Sequence, residues 1–191
     1  AGWTRKPIVS ALTILGMDEM LARYASYTDL ATIIRSRFTD PKATLREVFS
    51  RMVFNILCGN TDDHARNHAA FWDGHQLTLT PAYDICPQAR TGQEASQAML
   101  IHGNDNMSRL STCLSVVEAF HLNTNDALAI IRAQMQAIRA HWFAVCADAG
   151  LSQVDQNLLW GRQFLNPFAF TELDGEARSL RPLANDIRGF V

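Results

Sequence analysis

Between Asn60 and Asn67 the chain reads Asn-Thr-Asp-Asp-His-Ala-Arg-Asn, and Asp84 follows after a stretch of β-prone residues. Carboxylates and carboxamides crowded onto so short a loop repel one another and leave hydrogen-bonding capacity idle unless something uses it. A hard cation would: magnesium takes one or two carboxylates together with phosphate oxygens and waters. Asp62 and Asn67 are five residues apart, and Asp84 lies beyond a candidate two-stranded ribbon. Phosphoryl-transfer sites of the protein-kinase type share that layout. One aspartate orients the attacking hydroxyl, an asparagine holds the metal, and a second aspartate holds it again. A metal-dependent hydrolase is a rival reading, in which Asp62, Asp63, His64 and Asp84 gather on the ion.

The neighbouring residues each carry two readings. Asp63 competes with Asp62 as the base, but stands four rather than five residues before Asn67, and otherwise structures the loop. His64 either braces the loop by a backbone hydrogen bond or joins the chemistry. Arg66 either approaches a phosphate or is solvated. Tyr83 reads as a packing residue that positions Asp84. His68 falls four residues after His64, a zinc-like spacing only on a helix, whereas this region reads as extended. The polar run His102–Asn106 either lines a peptide-substrate side or is a surface loop, and Trp142 reads as core.

The elements that must position these groups are mostly helical. Residues 1–27 read as irregular, with a short helix around Met17–Tyr24, and Asp29–Phe38 as a helix capped by Thr28. Asp40 supplies a cap oxygen and Pro41 suits the first helical position, where its missing N–H costs nothing. Leu45, Val48, Phe49, Met52, Val53, Ile56 and Leu57 then follow three-to-four spacing, which predicts a core helix ending at Gly59. His68–Trp72 and His75–Thr80 read as strands around an Asp73-Gly74 turn, stopped by Pro81. Ala98–Ile101 reads as a short strand or helical turn. Helices are expected over Ser108–His121, Asn125–Ala149 and Gln153–Phe164, the last opening on a capping box at Ser152 and Asp155. The fold class is therefore mainly α with a small β-hairpin. The tail, 171–191, loses periodicity and is expected to be loosely ordered.

The Asn60–Asn67 string together with Leu79-Thr-Pro-Ala-Tyr-Asp84 resembles the C-terminal region of the HipA-like kinases, the bacterial toxins of toxin–antitoxin pairs. Ser10–Gly16 and the helices after residue 108 extend the resemblance over roughly residues 5–170. It implies the C-terminal lobe of a protein-kinase-like fold over residues 1–170, in a serine/threonine protein kinase using ATP and Mg²⁺. Asp62 becomes the catalytic aspartate, Asn67 and Asp84 the metal ligands, and Arg66 a further nucleotide-site residue. It also implies a small helix-turn-helix antitoxin of the HipB type as partner, with DNA reached only through it. An aminoacyl-tRNA synthetase is one candidate substrate, and a homodimer within the complex is implied. A non-catalytic antitoxin-binding module is the remaining alternative.

Composition agrees with a globular chain: 48% of the 191 residues are hydrophobic and 19% charged, with a formal net charge of −2. Near-neutrality argues against a dedicated nucleic-acid surface, which needs a basic face. No run approaches the ~18 apolar residues of a membrane span, and no signal-peptide pattern opens the chain. Cys58, Cys86, Cys113 and Cys146 lack metal or disulfide spacing and read as reduced packing residues of a cytoplasmic protein. Only Lys6 and Lys42 are lysines against 15 arginines, and neither stands where a nucleotide-gripping lysine belongs. No Gly-rich phosphate loop is present either. With the first methionine at Met17, the expectation is a lobe of a longer polypeptide, with little or no kinase activity alone.

Overall fold

The computed structural model describes residues 5–89, 92 and 94–189. In chain order the elements are β1 (Ile8–Ser10), α1 (Ala11–Ile14), α2 (Tyr27–Arg37), α3 (Pro41–Cys58), β2 (Ala69–Trp72), β3 (Leu77–Leu79), α4 (Leu110–Leu114), α5 (Thr124–Asp148), α6 (Gln153–Leu159) and α7 (Leu180–Arg188).

Helix α3 is the centre of the core, and its sequence explains why. The Asp40 carboxylate accepts from the Ala43 amide and Pro41 opens the first turn. Leu45, Val48, Phe49, Met52, Val53, Ile56 and Leu57 are all at most 1% exposed and Phe54 is half-buried, so the C-terminal half of this helix is covered almost all round. Helix α2 packs on one side, α4 and α5 on others, and Phe49 meets Phe120 edge-on at 5.4 Å. Gly59 then stops the helix in the left-handed region, at φ 74°. A side chain there is blocked on two counts, since its Cβ would lie 2.7 Å from the Gln163 carbonyl oxygen.

The sheet has three strands, not two. Residue Ser10 of β1 pairs with Ala69, and Trp72 pairs with Leu77 across the β2–β3 hairpin, both antiparallel. The segment expected to be irregular supplies β1, which at three residues is too short to show a period. The hairpin connection is also longer than an Asp-Gly turn. The Asp73 carboxylate accepts from the His75 and Gln76 amides, closing a four-residue loop.

Other boundaries moved for local reasons. Ser26, not Thr28, caps α2, because its hydroxyl accepts from the Asp29 amide. The expected helix over Ser108–His121 breaks after α4, where the Ser115 hydroxyl donates to the Thr112 carbonyl, and resumes as a 3-10 turn over Val117–Phe120. Helix α6 stops at Leu159 because Trp160 turns extended and its indole donates to the Arg188 carbonyl. Trp142 is core as expected, its ring 4.6 Å from that of Trp160.

The tail is the largest correction. Helix α7 lies against α5 and buries Leu180, Ala184 and Ile187 completely, while Arg188 donates to the Leu165 carbonyl. Leu180, Leu183, Ala184 and Ile187 do keep three-to-four spacing; Pro182 reads as a breaker in the sequence but falls in the first turn, where a helix tolerates it. The thiols also divide: Cys58, Cys113 and Cys146 are buried, but Cys86 is exposed rather than packed. Among the described residues no helix is long and apolar enough to cross a membrane.

Ile187→Ala is expected to lower stability by about 2–5 kcal/mol in urea unfolding, the cost of a buried cavity. A loosely attached tail would register almost nothing.

Candidate active site

The polar loop leaves the end of α3 through a pair of asparagines. Asn60 is 1% exposed, and its carboxamide donates to Asn55 Oδ1 at 3.0 Å and to the Asp84 carbonyl at 3.4 Å. One buried side chain thus joins the helix, the start of the loop and the far aspartate. The chain then turns at Thr61–Asp62, and the Thr61 and Asp63 carbonyls accept from the Ala98 and Met99 amides. Asp62 faces outward and is exposed; Asp63 faces inward and is buried.

A 3-10 turn over Ala65–Asn67 folds the loop back. The Asn67 amide donates to the His64 carbonyl at 2.8 Å, and its side-chain Nδ2 lies 3.4 Å from the Asp62 carbonyl. Asn67 is buried, and this bond occupies its Nδ2 and turns its Oδ1 toward the role of acceptor or ligand. So His64 does brace the loop, through its backbone carbonyl. Its ring Nδ1 is buried without a partner among the described residues.

Asp84 is held from both sides. It adopts φ 57°, a left-handed conformation that aspartate tolerates better than most residues. The Asn60 carboxamide takes its carbonyl, and the preceding Tyr83 donates its hydroxyl to the Arg66 carbonyl. Upstream, Arg51 Nη2 donates to the Thr80 carbonyl at 2.7 Å and anchors the strand end that leads here. Tyr83 is therefore less a packing residue than a tether, 42% exposed. Partial burial, then the Asp84 charge, raises the Tyr83 phenol above its usual value, so it remains a donor at neutral pH.

Asp62 and Asn67 thus touch directly, and Asp84 is tied to the same loop through Asn60 and Tyr83. Arg66 is exposed and forms an ion pair with Glu19. Asp63 and His68 are instead joined to each other: His68 Nε2 lies 3.0 Å from Asp63 Oδ1, and Tyr27 donates to Oδ2. That pairing turns Asp63 away from any cluster with His64. Among the described residues no group of three His, Cys, Asp or Glu is placed to hold a metal. The exposed Asp62 and Asp84 carboxylates and the buried Asn67 carboxamide oxygen are all hard donors, which fit magnesium rather than a softer ion. The His102–Asn106 run is a turn closed by its own bonds, with Asp105 accepting from Met107 and Thr112.

Three supporting residues escape a reading of the loop alone. Asn60 and Asn55 sit on an apolar helix end where paired carboxamides are a fair signal of a buried latch. Tyr27 lies 36 residues upstream of Asp63, with no local signal.

The HipA-like C-terminal domain family matches residues 2–142, a span that contains every residue of the loop and Asp84. The chain belongs to this family. Its fold is similar to a chain from the Shewanella oneidensis MR-1 toxin–antitoxin complex of HipA, HipB and operator DNA. The TM-score is 0.63 at 16% sequence identity, covering 96% of this chain and 42% of that one. This HipA-like domain therefore spans less than half the length of that chain. Among curated proteins none matches it significantly.

Asn60→Ala leaves Asn55 Oδ1 without its donor inside the core and is expected to cost about 1–3 kcal/mol in urea unfolding. A thiol titration of the native domain at pH 8 is expected to count Cys86 alone. Cys58 resists because burial pushes its thiol up to about 12, and Cys113 and Cys146 are raised by the same cause. All four thiols appear on unfolding.

Proposed function

We propose that this domain is the catalytic-loop lobe of an ATP- and Mg²⁺-dependent serine/threonine protein kinase, the toxin of a bacterial toxin–antitoxin pair. The observation that carries the reading is the loop itself. An exposed Asp62 stands on a backbone whose carbonyl is bonded by Asn67, five residues on, while Asp84 is latched to the same loop. Asp62 orients the acceptor hydroxyl and takes its proton, a contribution of about 10²–10⁴-fold. The Asn67 carboxamide oxygen and the Asp84 carboxylate hold the metal. Magnesium, when bound, neutralises charge developing on the transferred phosphoryl group. Arg66, at the rim of the loop, can exchange Glu19 for a phosphate.

The nucleotide-gripping lysine comes from a second lobe. Lys6 lies over the Phe71 ring, 5.6 Å from its centroid, and Lys42 is exposed in the first turn of α3. The limited share of the Shewanella chain that this domain covers supports a second lobe. A HipB-like helix-turn-helix antitoxin is the proposed partner, because HipB and operator DNA accompany HipA in that complex. A net charge of −2 leaves direct DNA contact to that partner. Unpaired thiols fit a reducing cytoplasm.

In the two-lobed protein, Asp62→Asn and Asp84→Asn are each expected to lower phosphoryl transfer to a Ser or Thr acceptor by about 10²-fold or more. Both side chains are exposed, so the melting temperature should stay near that of the wild type. The present domain alone should transfer no phosphate from radiolabelled ATP. Wild-type turnover in both variants would remove the kinase assignment and leave an antitoxin-binding module.

A further inference from the structure

We propose that Asp63, His68 and Tyr27 are positioning residues that fix Asp62 relative to Asn67, a role that rests on the kinase reading of the loop. Asp63 follows Asp62 in sequence and His68 follows Asn67. The 3.0 Å contact between Asp63 Oδ1 and His68 Nε2 therefore staples together the immediate neighbours of the hydroxyl-orienting residue and the metal ligand. Asp62 is exposed while the adjacent Asp63 is buried, so the two side chains leave the turn on opposite sides. Driving Asp63 inward is what turns Asp62 outward.

The staple is itself held. Tyr27, in the first turn of α2, donates to Asp63 Oδ2, and its ring stands edge-on to the imidazole, 5.3 Å between centroids at 75°. Burial, reinforced by the Asp63 charge, holds the phenol well above its usual value, so it keeps the proton it donates. The main chain grips the same place: Met99 donates to the Asp63 carbonyl and Tyr27 donates to the Leu100 carbonyl. Tyr27, Asp63 and His68 are 1%, 2% and 2% exposed, so none can touch a substrate. A carboxylate removed from water must have its oxygens occupied. With one donor on each oxygen it has a single orientation, and the loop inherits it.

The test uses the two-lobed protein, assayed where each variant is folded. Tyr27→Phe and His68→Leu are expected to lower kcat per folded molecule by about 10–100-fold, the effect of a small misplacement of reacting groups. The KM for the acceptor should change by less than about twofold. His68→Gln keeps a donor for Asp63 and is expected to recover most of the lost kcat. Amide hydrogen exchange gives a readout independent of turnover: residues 61–68 lose protection in Tyr27→Phe and His68→Leu and regain it in His68→Gln. Should His68→Leu fail to fold, Tyr27→Phe carries the test, since it removes one hydroxyl from an intact ring. Wild-type kcat in folded Tyr27→Phe, with Asp62→Asn inactive, overturns the positioning role alone. So does a loss that merely follows the melting temperature and disappears on cooling. Equal turnover by wild type and Asp62→Asn overturns the kinase reading and this role with it.

Discussion

The site depends on how a helix with buried final turns is allowed to end. Helix α3 must turn its chain while still inside the core, and the left-handed Gly59, pressed against the Gln163 backbone, permits that. No other residue type fits both the φ and the space. Much follows from this exit: Asn60 reaches back to Asn55 because the chain turns there, and its carboxamide is one of the two holds on Asp84. The segment around Gln163 lies more than a hundred residues away in sequence, yet it forms the wall against which the loop starts.

Buried polarity is the second theme. The domain places a carboxylate, an imidazole, a phenol and three carboxamides under the loop, at Asp63, His68, Tyr27, Asn55, Asn60 and Asn67. Each costs desolvation energy that an apolar residue would avoid. Apolar contacts are tolerant of small slides, whereas a donor and acceptor at 3.0 Å are not, so the arrangement exchanges stability for registration. The exposed aspartates can therefore remain bare at the surface without the loop that carries them being loose.

Much of this was legible in the sequence, and what was not has definite causes. Helix α3 could be read from cap to stop because Asp40, Pro41, its apolar face and Gly59 are all local signals. The Asp62, Asn67 and Asp84 spacing stood out because carboxylates and carboxamides crowd a short loop and return beyond a hairpin. Their union with Tyr27 did not, since a contact across 36 residues leaves no trace in a window of ten. Strand β1 and helix α7 were missed for a different reason. Each packs against something distant, β1 against β2 and α7 against α5; β1 is too short to declare a period, and in α7 the three-to-four spacing is interrupted to the eye by Pro182. The cap of α2 and the break after α4 turned on single hydroxyls: Ser26, which competes with Thr28 two residues on, and Ser115 inside an otherwise helical pattern.

The register of β1 has a consequence for the order of assembly. Ser10 pairs with Ala69, Tyr27 reaches Asp63 and His68, and the Asp63 carbonyl waits for Met99. A loop whose partners are so widely separated must close several long segments at once, and such contacts form slowly compared with helical turns. During synthesis, a nascent chain that has not yet reached Met99 can complete α2 and α3 but not the loop between them and the sheet. The loop is thus not closed until Met99 has been made, so a ribosome-bound chain short of that point carries its aspartates without the framework that registers them.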